Sequence, residues 1–211
     1  IKHGWHGKRL EVHIEGVKET ASKIPRVIVW RRKKGIIRPS KKELRKFFIK
    51  EQQELLSLAA NIVKGKWHEL PEAYWSINLA LKSIFEMPQC PVHGFTKQCF
   101  LETKKIHDKA KEKLKSKIRK LNEETRKPPK KRLLNIIKYN RRLRTISKDI
   151  LAYAYIVNIL EYHDTIIKLL GKVRSKTISA YLHELKKYII RNGVRRGHRK
   201  RILEEALHDL I

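Results

Sequence analysis

The chain has 211 residues, and its 51 Lys and Arg against 21 Asp and Glu give a formal net charge of +30. This excess favours a polyanionic partner, above all nucleic acid, because basic side chains that neutralise phosphates release condensed counterions. Hydrophobic residues make up 41% of the chain, enough for a folded core, which excludes a disordered basic tail. The longest uncharged run, residues 150–160, is far shorter than the ~20 apolar residues of a membrane span, so we expect none.

Membrane-surface binding and adaptation to heat account for the charge less well than nucleic acid does. Polybasic proteins of membrane surfaces usually combine charge with a strongly apolar helix face or a lipid anchor, whereas the basic residues here are spread over most of the chain. The charged surface of a heat-adapted protein normally contains Glu in rough parity with Lys, and this parity is absent. Two cysteines are too few for a disulfide framework, so we expect an intracellular or intravirion setting.

We predict a mainly α fold, a helical bundle with long basic helices, in three segments. Residues 1–37 are the least helical. Residues 11–15 alternate apolar with polar and residues 26–30 are rich in β-branched side chains, which indicates an extended arm or a short β-hairpin. Residues 38–100 are predicted to form a helical segment with a Cys/His loop, and residues 101–211 a basic helical domain.

The middle segment is predicted to begin with a helix from Ser40 to Gly65. Ser40 and Glu43 match the capping box of a helix N-terminus. Apolar residues then recur at helical spacing until Gly65 ends the run. Pro71 suits the first turn of a second helix. The predicted apolar face of that helix consists of Tyr74, Trp75, Ile77, Leu81, Ile84 and Phe85.

The basic domain is predicted to begin with a helix over residues 101–125. Its apolar stripe is thin, so the helix cannot be buried on all sides; the stripe consists of Ile106, Leu114, Ile118 and Leu121. Pro128 and Pro129 end this helix, because proline lacks a backbone donor and constrains the residue before it. A long helix that begins basic and ends apolar is predicted to follow as far as Leu170, with Gly171 at its end.

Two further amphipathic helices are predicted over residues 177–190 and 200–210, with Asn192 and Gly193 as the C-cap between them. The segment 176–188 also admits an interpretation as the recognition helix of a helix-turn-helix, but that signal is weak. In the helix before the two prolines, the basic residues lie around the axis rather than along one stripe, which is typical of phosphate contacts rather than base recognition.

The charge is concentrated in three blocks. Residues 104–148 contain nineteen Lys or Arg against four acidic residues, residues 31–50 contain ten against one, and residues 191–201 contain six against none. One such block is often only a solvated helix face, whereas three on separate elements are suited to wrapping a duplex. The predicted nucleic-acid-binding residues are Arg31, Arg32, Lys33, Lys34, Lys115, Lys117, Arg119, Lys120, Lys130, Lys131, Arg132, Arg141, Arg142, Arg144, Arg195, Arg196, Arg199, Lys200 and Arg201.

A Cys/His loop supplies three candidate metal ligands. Cys90, His93 and Cys99 have the spacing C-x2-H-x5-C, which offers three ligand types that suit zinc. A fourth ligand is not obvious, since His68 and His107 are the nearest candidates. Two interpretations stay open, a loop with two reduced cysteines and a zinc site. We predict no cofactor.

This loop and the preceding segment resemble the C-terminal half of the CRISPR-associated RecB-like nucleases. In that family a hairpin, a basic strand, a capped helix, a Pro-containing connector and a C-x2-C-x5-C triplet follow one another, as residues 26–30, 35–40, 43–44, 65–71 and 90–99 do here. His93 replaces the middle ligand of the triplet, and no further N-terminal Cys completes a cluster. The Asp and Glu-x-Lys metal ligands of the nuclease are also missing, so we expect no hydrolytic activity.

A nuclease-like remnant with a large basic helical extension resembles the nucleocapsid proteins of archaeal filamentous viruses, of the tristromavirus type. That resemblance implies a major capsid protein that wraps linear double-stranded DNA, in an A-like form, together with a second related coat protein. It implies a location in the virion, and in the host cytoplasm during assembly. The composition, rich in Ile and Lys, agrees with proteins from hot habitats.

Three functional hypotheses follow. The first is a structural DNA-packaging protein, not an enzyme, that coats duplex DNA through phosphate contacts and assembles with copies of itself into a helical filament. The second is a monomeric RNA- or DNA-binding factor, either ribosome-associated or a helix-turn-helix regulator, with a preferred site. The third is a residual nuclease with an iron–sulfur or zinc loop.

Overall fold

The computed structural model describes residues 30–32, 35–37, 39–88, 93–127, 129 and 132–211. The described part of the chain is mainly α, as the sequence predicts, with seven α-helices and one short pair of strands. The backbone divides into two compact units, residues 1–51 and residues 52–211. The three predicted segments, with their boundaries after residues 37 and 100, stay predictions.

The first unit contains two antiparallel strands and the start of a helix. Strand β1 (Trp30–Arg32) pairs with β2 (Gly35–Ile37), and Trp30 lies opposite Ile37. Most of the predicted N-terminal arm lies outside the described residues. Helix α1 (Lys41–Lys64) begins with the predicted capping box: the Ser40 N–H donates to Glu43 Oε2 at 2.7 Å, and the Glu43 N–H donates to Ser40 Oγ at 3.2 Å.

Helix α1 ends where the sequence predicts. Gly65 adopts a left-handed φ of 69°, and the Lys66 N–H donates to the Asn61 carbonyl at 2.9 Å, which closes the helix with a glycine C-cap. A short 3-10 helix (Trp67–Glu69) follows. Helix α2 (Glu72–Lys82) then begins directly after Pro71.

Helix α2 is shorter than its predicted apolar face. Ile84 and Phe85 lie beyond its end, in an extended segment, with Ile84 exposed and Phe85 buried. Tertiary contact explains the early end: the Ile84 N–H donates to Glu161 Oε1 at 2.6 Å, and the Phe85 ring packs 5.6 Å from the His107 ring. Trp75, also assigned to the predicted buried face, is half exposed.

The longest helices, α3 (Gly94–Thr125) and α4 (Leu133–Leu160), form an antiparallel hairpin. Lys117 Nζ lies 2.5 Å from Asp149 Oδ2, and the Tyr139 hydroxyl donates to the Glu124 carbonyl at 2.9 Å, which fixes their register. Helix α3 begins seven residues before the predicted start. Its buried stripe is wider than predicted because small or polar side chains extend it; these are Cys99, Thr103, His107 and Ala110.

The predicted single helix up to Leu170 is wrong. Helix α4 ends at Leu160, and a separate α5 (His163–Leu170) follows after Tyr162, whose ψ of 108° is extended. The break lies beside Glu161, whose carboxylate accepts the Ile84 N–H and also approaches His107 Nε2 at 3.5 Å. This contact between distant segments has no signature in the local sequence. Gly171 is the C-cap of α5, as predicted for the end of this region.

Helices α6 (Ile178–Arg195) and α7 (Lys200–His208) complete the second unit. Thr177 caps α6, since its Oγ1 accepts the Ala180 N–H at 3.3 Å. The predicted C-cap at Asn192 and Gly193 is wrong, because α6 continues to Arg195. The C-cap glycine is instead Gly197, with a φ of 86°, and the His198 N–H donates to the Gly193 carbonyl at 2.9 Å.

The core of the second unit surrounds the apolar half of α4. Residues 152–157 are all buried, and α4 as a whole contacts α2, α3, α5, α6 and α7. Gly193 allows this packing: a Cβ at that position would lie 2.4 Å from Leu203 Cδ1 and 2.9 Å from Tyr155 Cε1. Among the described helices we find no candidate for a membrane-spanning segment.

Candidate nucleic-acid interface

The two halves of the α3–α4 hairpin have different roles. One half joins the other helices of the unit: the Thr103 hydroxyl lies 2.6 Å from the Tyr181 hydroxyl, and Asn158 Nδ2 donates to the Ser76 carbonyl at 3.0 Å. The other half, residues 111–148, contains sixteen Lys or Arg against three Glu, a net charge of +13. The charge of the unit is therefore concentrated at the end of the hairpin that includes its connection.

Many of these basic residues are exposed. The facing sides of α3 and α4 instead bury apolar residues such as Leu114, Leu121 and Leu143. We call the exposed set the hairpin basic surface; it consists of Lys113, Lys115, Arg119, Lys120, Arg126, Lys127, Arg132, Lys138, Arg141 and Arg142. At 1.5 Å per residue, the part on α3 from Lys113 to Arg126 extends over roughly 20 Å, a length that spans several phosphates of one strand.

The predicted residues on α3 differ in their surroundings. Arg119 and Lys120 are exposed and form no ion pair with a described carboxylate. Lys115 is exposed but pairs with Glu112 at 2.8 Å, which lowers the pKa of Glu112. Lys117 pairs with Asp149 across the helices, and the two side chains are only 27% and 20% exposed. Lys117 therefore joins the two helices of the hairpin, and its contact with nucleic acid stays a prediction.

The predicted residues on α4 also divide. Arg132 and Arg141 are exposed, Arg132 as the N-cap residue of the helix. Arg142 is exposed as well, and its Nη1 lies 3.8 Å from Glu124 Oε2, a loose contact that water screens. Arg144 is partly buried. Lys130 and Lys131, in the connection before α4, lie outside the described residues and stay predictions.

The basic block at the N-terminus stays a prediction for the same reason. Arg31 and Arg32 belong to strand β1, where only the backbone is described. Lys33 and Lys34, between the two strands, lie outside the described residues.

The third basic block forms the turn between α6 and α7. Arg195 and Arg199 are exposed. The Arg196 guanidinium lies 5.6 Å from the centre of the Tyr155 ring, a cation–π distance, and Lys200 and Arg201 pair with glutamates one turn along α7, at 3.7 and 2.7 Å. The structure brings these five residues together, but three of them, Arg196, Lys200 and Arg201, already form intramolecular contacts.

His198 lies inside this turn. Its ring is 4.8 Å from the Tyr155 ring, and its backbone N–H forms part of the C-cap of α6. Burial, together with the neighbouring Arg196, holds the pKa of His198 below its usual value. The folded state therefore favours the neutral form of the His198 ring.

Of the candidate metal ligands, Cys99 lies within α3 rather than in a loop. Its side chain is fully buried, and burial raises the pKa of the thiol to about 11. Metal binding requires the thiolate, which this environment disfavours. His93 is the exposed N-cap residue of α3, and Cys90 lies outside the described residues. The predicted loop therefore ends at His93. No group of three metal-ligating side chains comes together in the described parts of the chain.

His107 occupies a buried junction that could be mistaken for a catalytic set. Its Nε2 lies 3.2 Å from Ser83 Oγ and its Nδ1 lies 3.2 Å from Asp108 Oδ1. However, the His107 side chain is only 1% exposed, and the Ser83 hydroxyl donates to the Ala80 carbonyl at 2.9 Å. A nucleophile needs an accessible hydroxyl that gives its proton to the base. This geometry instead joins the end of α2 to α3.

The sequence-based prediction missed four members of the hairpin basic surface. These are Lys113, Arg126, Lys127 and Lys138. The sequence does contain an indication of these four residues. Lys113 and Lys138 fall between the apolar positions of amphipathic helices, and Arg126 and Lys127 directly precede the prolines. The packing of α3 against α4 brings all of them onto one two-helix element.

Comparison with protein-family models, with curated proteins and with solved structures finds no match to this chain.

Proposed function

We propose that this protein is a structural nucleic-acid-packaging protein, a coat protein that neutralises the phosphates of linear double-stranded DNA. The observation that supports the proposal most directly is the hairpin basic surface, where ten exposed Lys and Arg lie on one two-helix element. Few carboxylates accompany them, with three Glu in residues 111–148. A surface of this kind binds a polyanion through counterion release.

The arrangement favours phosphate contacts over base recognition. Arg119, Lys120, Arg141 and Arg142 are long, exposed side chains on two neighbouring helices. Sequence-specific proteins instead place a few Arg, Asn or Gln at the groove-facing positions of one helix. Phosphate contacts position a protein on DNA without selecting a sequence, which suits a protein that covers a whole genome.

The proposed setting is a viral nucleocapsid. The resemblance to the coat proteins of archaeal filamentous viruses suggests a helical filament of many copies, a second related coat protein as partner, and a location in the virion. The high charge supports a role bound to DNA, because self-repulsion at +30 disfavours the free fold unless a polyanion is normally present.

Electron microscopy tests this proposal. The purified protein, mixed at low salt with linear duplex DNA of unrelated sequences, is expected to form filaments of constant diameter on every sequence. A variant with Arg119, Lys120, Arg141 and Arg142 changed to Gln should coat the same DNA less completely under the same conditions. Isolated particles at particular sites, or binding to structured RNA only, would contradict packaging and favour a monomeric regulator or RNA-binding factor.

A further inference from the structure

A basic groove lies between the loop that joins α5 to α6 and the first turns of α6. Its volume is about 500 Å³, and its lining includes Lys172, Arg174 and His183. Glu184 is the acidic residue of the lining, but Lys187 Nζ donates to Glu184 Oε1 at 3.0 Å, and this hydrogen bond lowers the pKa of Glu184. The groove therefore keeps a net positive charge, which favours an anionic ligand.

The loop that carries Lys172 and Arg174 is ordered, and both side chains face solvent. Each is exposed, and neither forms an ion pair with a described carboxylate. Val173, between them, packs against the core, and the Lys172 N–H donates to the Leu169 carbonyl at 2.9 Å. Because the loop backbone is fixed before binding, little conformational entropy is lost when a ligand binds there.

The positive surface continues along α6. Arg191 and Arg195 are exposed and follow the groove residue Lys187 at intervals of four residues, which makes them neighbours on the helix surface. We call Lys172, Arg174, Arg191 and Arg195 the α6 basic surface. Helix α6 has 18 residues, so at 1.5 Å per residue it extends over roughly 27 Å, a length that spans several phosphates of one DNA strand.

The groove end of the α6 basic surface is separated from the hairpin basic surface. The Tyr181 hydroxyl lies 2.6 Å from the Thr103 hydroxyl, which places the start of α6 beside Thr103 of α3. Arg119 of the hairpin basic surface lies sixteen residues further along α3, roughly 24 Å away at 1.5 Å per residue. The lysines of residues 103–112 already contact carboxylates or backbone carbonyls of the protein; these are Lys104, Lys105, Lys109 and Lys111.

We propose that the α6 basic surface binds the phosphates of a second DNA segment, so that one copy of the protein bridges two duplexes. The hairpin basic surface holds the first segment. The inference deepens the proposed function, on which it rests: a coat protein with two phosphate-binding surfaces holds neighbouring segments of packaged DNA together, and the second contact strengthens the first through multivalency.

A capture experiment tests bridging. One duplex is fixed to beads, the protein is added below saturation, and a labelled duplex is then supplied in solution. The unmodified protein is expected to retain the labelled duplex on the beads. Changing Lys172, Arg174 and Arg191 to Gln should reduce capture at least about tenfold, because at about 0.1 M salt each lost phosphate contact removes roughly a factor of eight through counterion release.

The matched control loses the same number of charges through Gln at Lys66, Lys104 and Lys105, each of which pairs with a carboxylate at 2.6 to 2.9 Å. It should capture the labelled duplex like the unmodified protein, and circular dichroism should give every variant the same helix content. Undiminished capture by the variant of the α6 basic surface would overturn the proposal and indicate bridging by associated copies. An equal loss of capture in the control would overturn it as well.

Binding to a single short duplex separates this inference from the proposed function. The variant of the α6 basic surface should still bind that duplex, because the hairpin basic surface is unchanged. If the unmodified protein binds the duplex but captures no second one, bridging is wrong and packaging stands. If it does not bind the duplex at all, packaging and bridging are both wrong.

Discussion

At the scale of single residues, Gly193 suits the fold although helix propensity alone would disfavour glycine at this position. It lies inside α6 and is buried, although glycine is about 1 kcal/mol less favourable than alanine within a helix. The backbone of α6 approaches α4 and α7 so closely that a methyl group would contact Leu203 and Tyr155 at 2.4 and 2.9 Å. Close approach therefore outweighs propensity at this position.

Gly193→Ala is expected to lower the free energy of unfolding by about 1–3 kcal/mol, the usual cost of overpacking a core. Urea denaturation measures this change. Gly171→Ala is the matched control: its Cβ would come no nearer than 3.8 Å to the Lys168 carbonyl and its φ of −67° suits alanine, so the change should be neutral or slightly stabilising. A neutral Gly193→Ala would contradict the packing described here.

His198 makes stability depend on pH. Because its pKa is lowered in the folded state, the unfolded chain binds more protons at acidic pH, and its contribution is lost as the pH falls below about 6.5. The difference in unfolding free energy between pH 7.5 and pH 5 should therefore be smaller in His198→Phe, which retains a ring beside Tyr155. The same pH difference in both proteins would show that His198 does not contribute.

At the scale of elements, the sequence predicts those parts of the fold that local chemistry determines. The capping box at Ser40 and the glycine at position 65 define both ends of α1 without reference to other helices. The break between α4 and α5 depends instead on Glu161, which binds a segment 77 residues away. Gly193 misled the prediction because glycine has two uses, to end a helix or to allow close packing, and only the tertiary structure distinguishes them.

The same limit applies to the candidate interface. Composition locates the basic blocks, but not which cations face solvent. Lys117 and Arg119 look equivalent in the sequence, yet Asp149 pairs with Lys117 while Arg119 is exposed. The partner of Lys117 is 32 residues away on another helix, so no local pattern reveals it.

This difference gives a prediction for the hairpin. Lys117→Met retains the apolar stem but leaves Asp149 without its partner, so the unfolding free energy should fall by about 1 kcal/mol, the upper end for incompletely buried pairs. Arg119→Gln should leave stability within about 0.5 kcal/mol, as is usual for surface changes, and should weaken DNA binding more than Lys117→Met does. Thermal unfolding and fluorescence anisotropy measure the two quantities; the opposite order of effects would contradict these roles.

At the scale of the whole molecule, the net charge of +30 opposes folding in the absence of a polyanion. We expect the melting temperature of the DNA-free protein to rise between 0.05 and 0.5 M NaCl, by roughly 2–4 °C for each kcal/mol of repulsion that salt screens. The rise should be smaller when Arg119, Lys120, Arg141 and Arg142 are changed to Gln. Scanning calorimetry measures both; a melting temperature that does not change with salt would contradict the destabilising role of the charge.

The most direct test of the central claim is the salt dependence of binding to a short duplex. For five to ten phosphate contacts, the logarithm of the binding constant should fall with the logarithm of salt concentration with a slope between about −4.5 and −9. The slope should become shallower by about 3 to 4, whatever the DNA sequence, when Gln replaces Arg119, Lys120, Arg141 and Arg142.

The control replaces four other cations by Gln, and each of these cations pairs with an acidic residue at 2.6 to 3.0 Å: Lys66, Lys104, Lys105 and Lys187. It should reduce the slope by less than about 1, because neighbouring carboxylates already neutralise these cations. A slope near zero in the unmodified protein, or an equal reduction in both variants, would contradict a phosphate-binding surface on the α3–α4 hairpin.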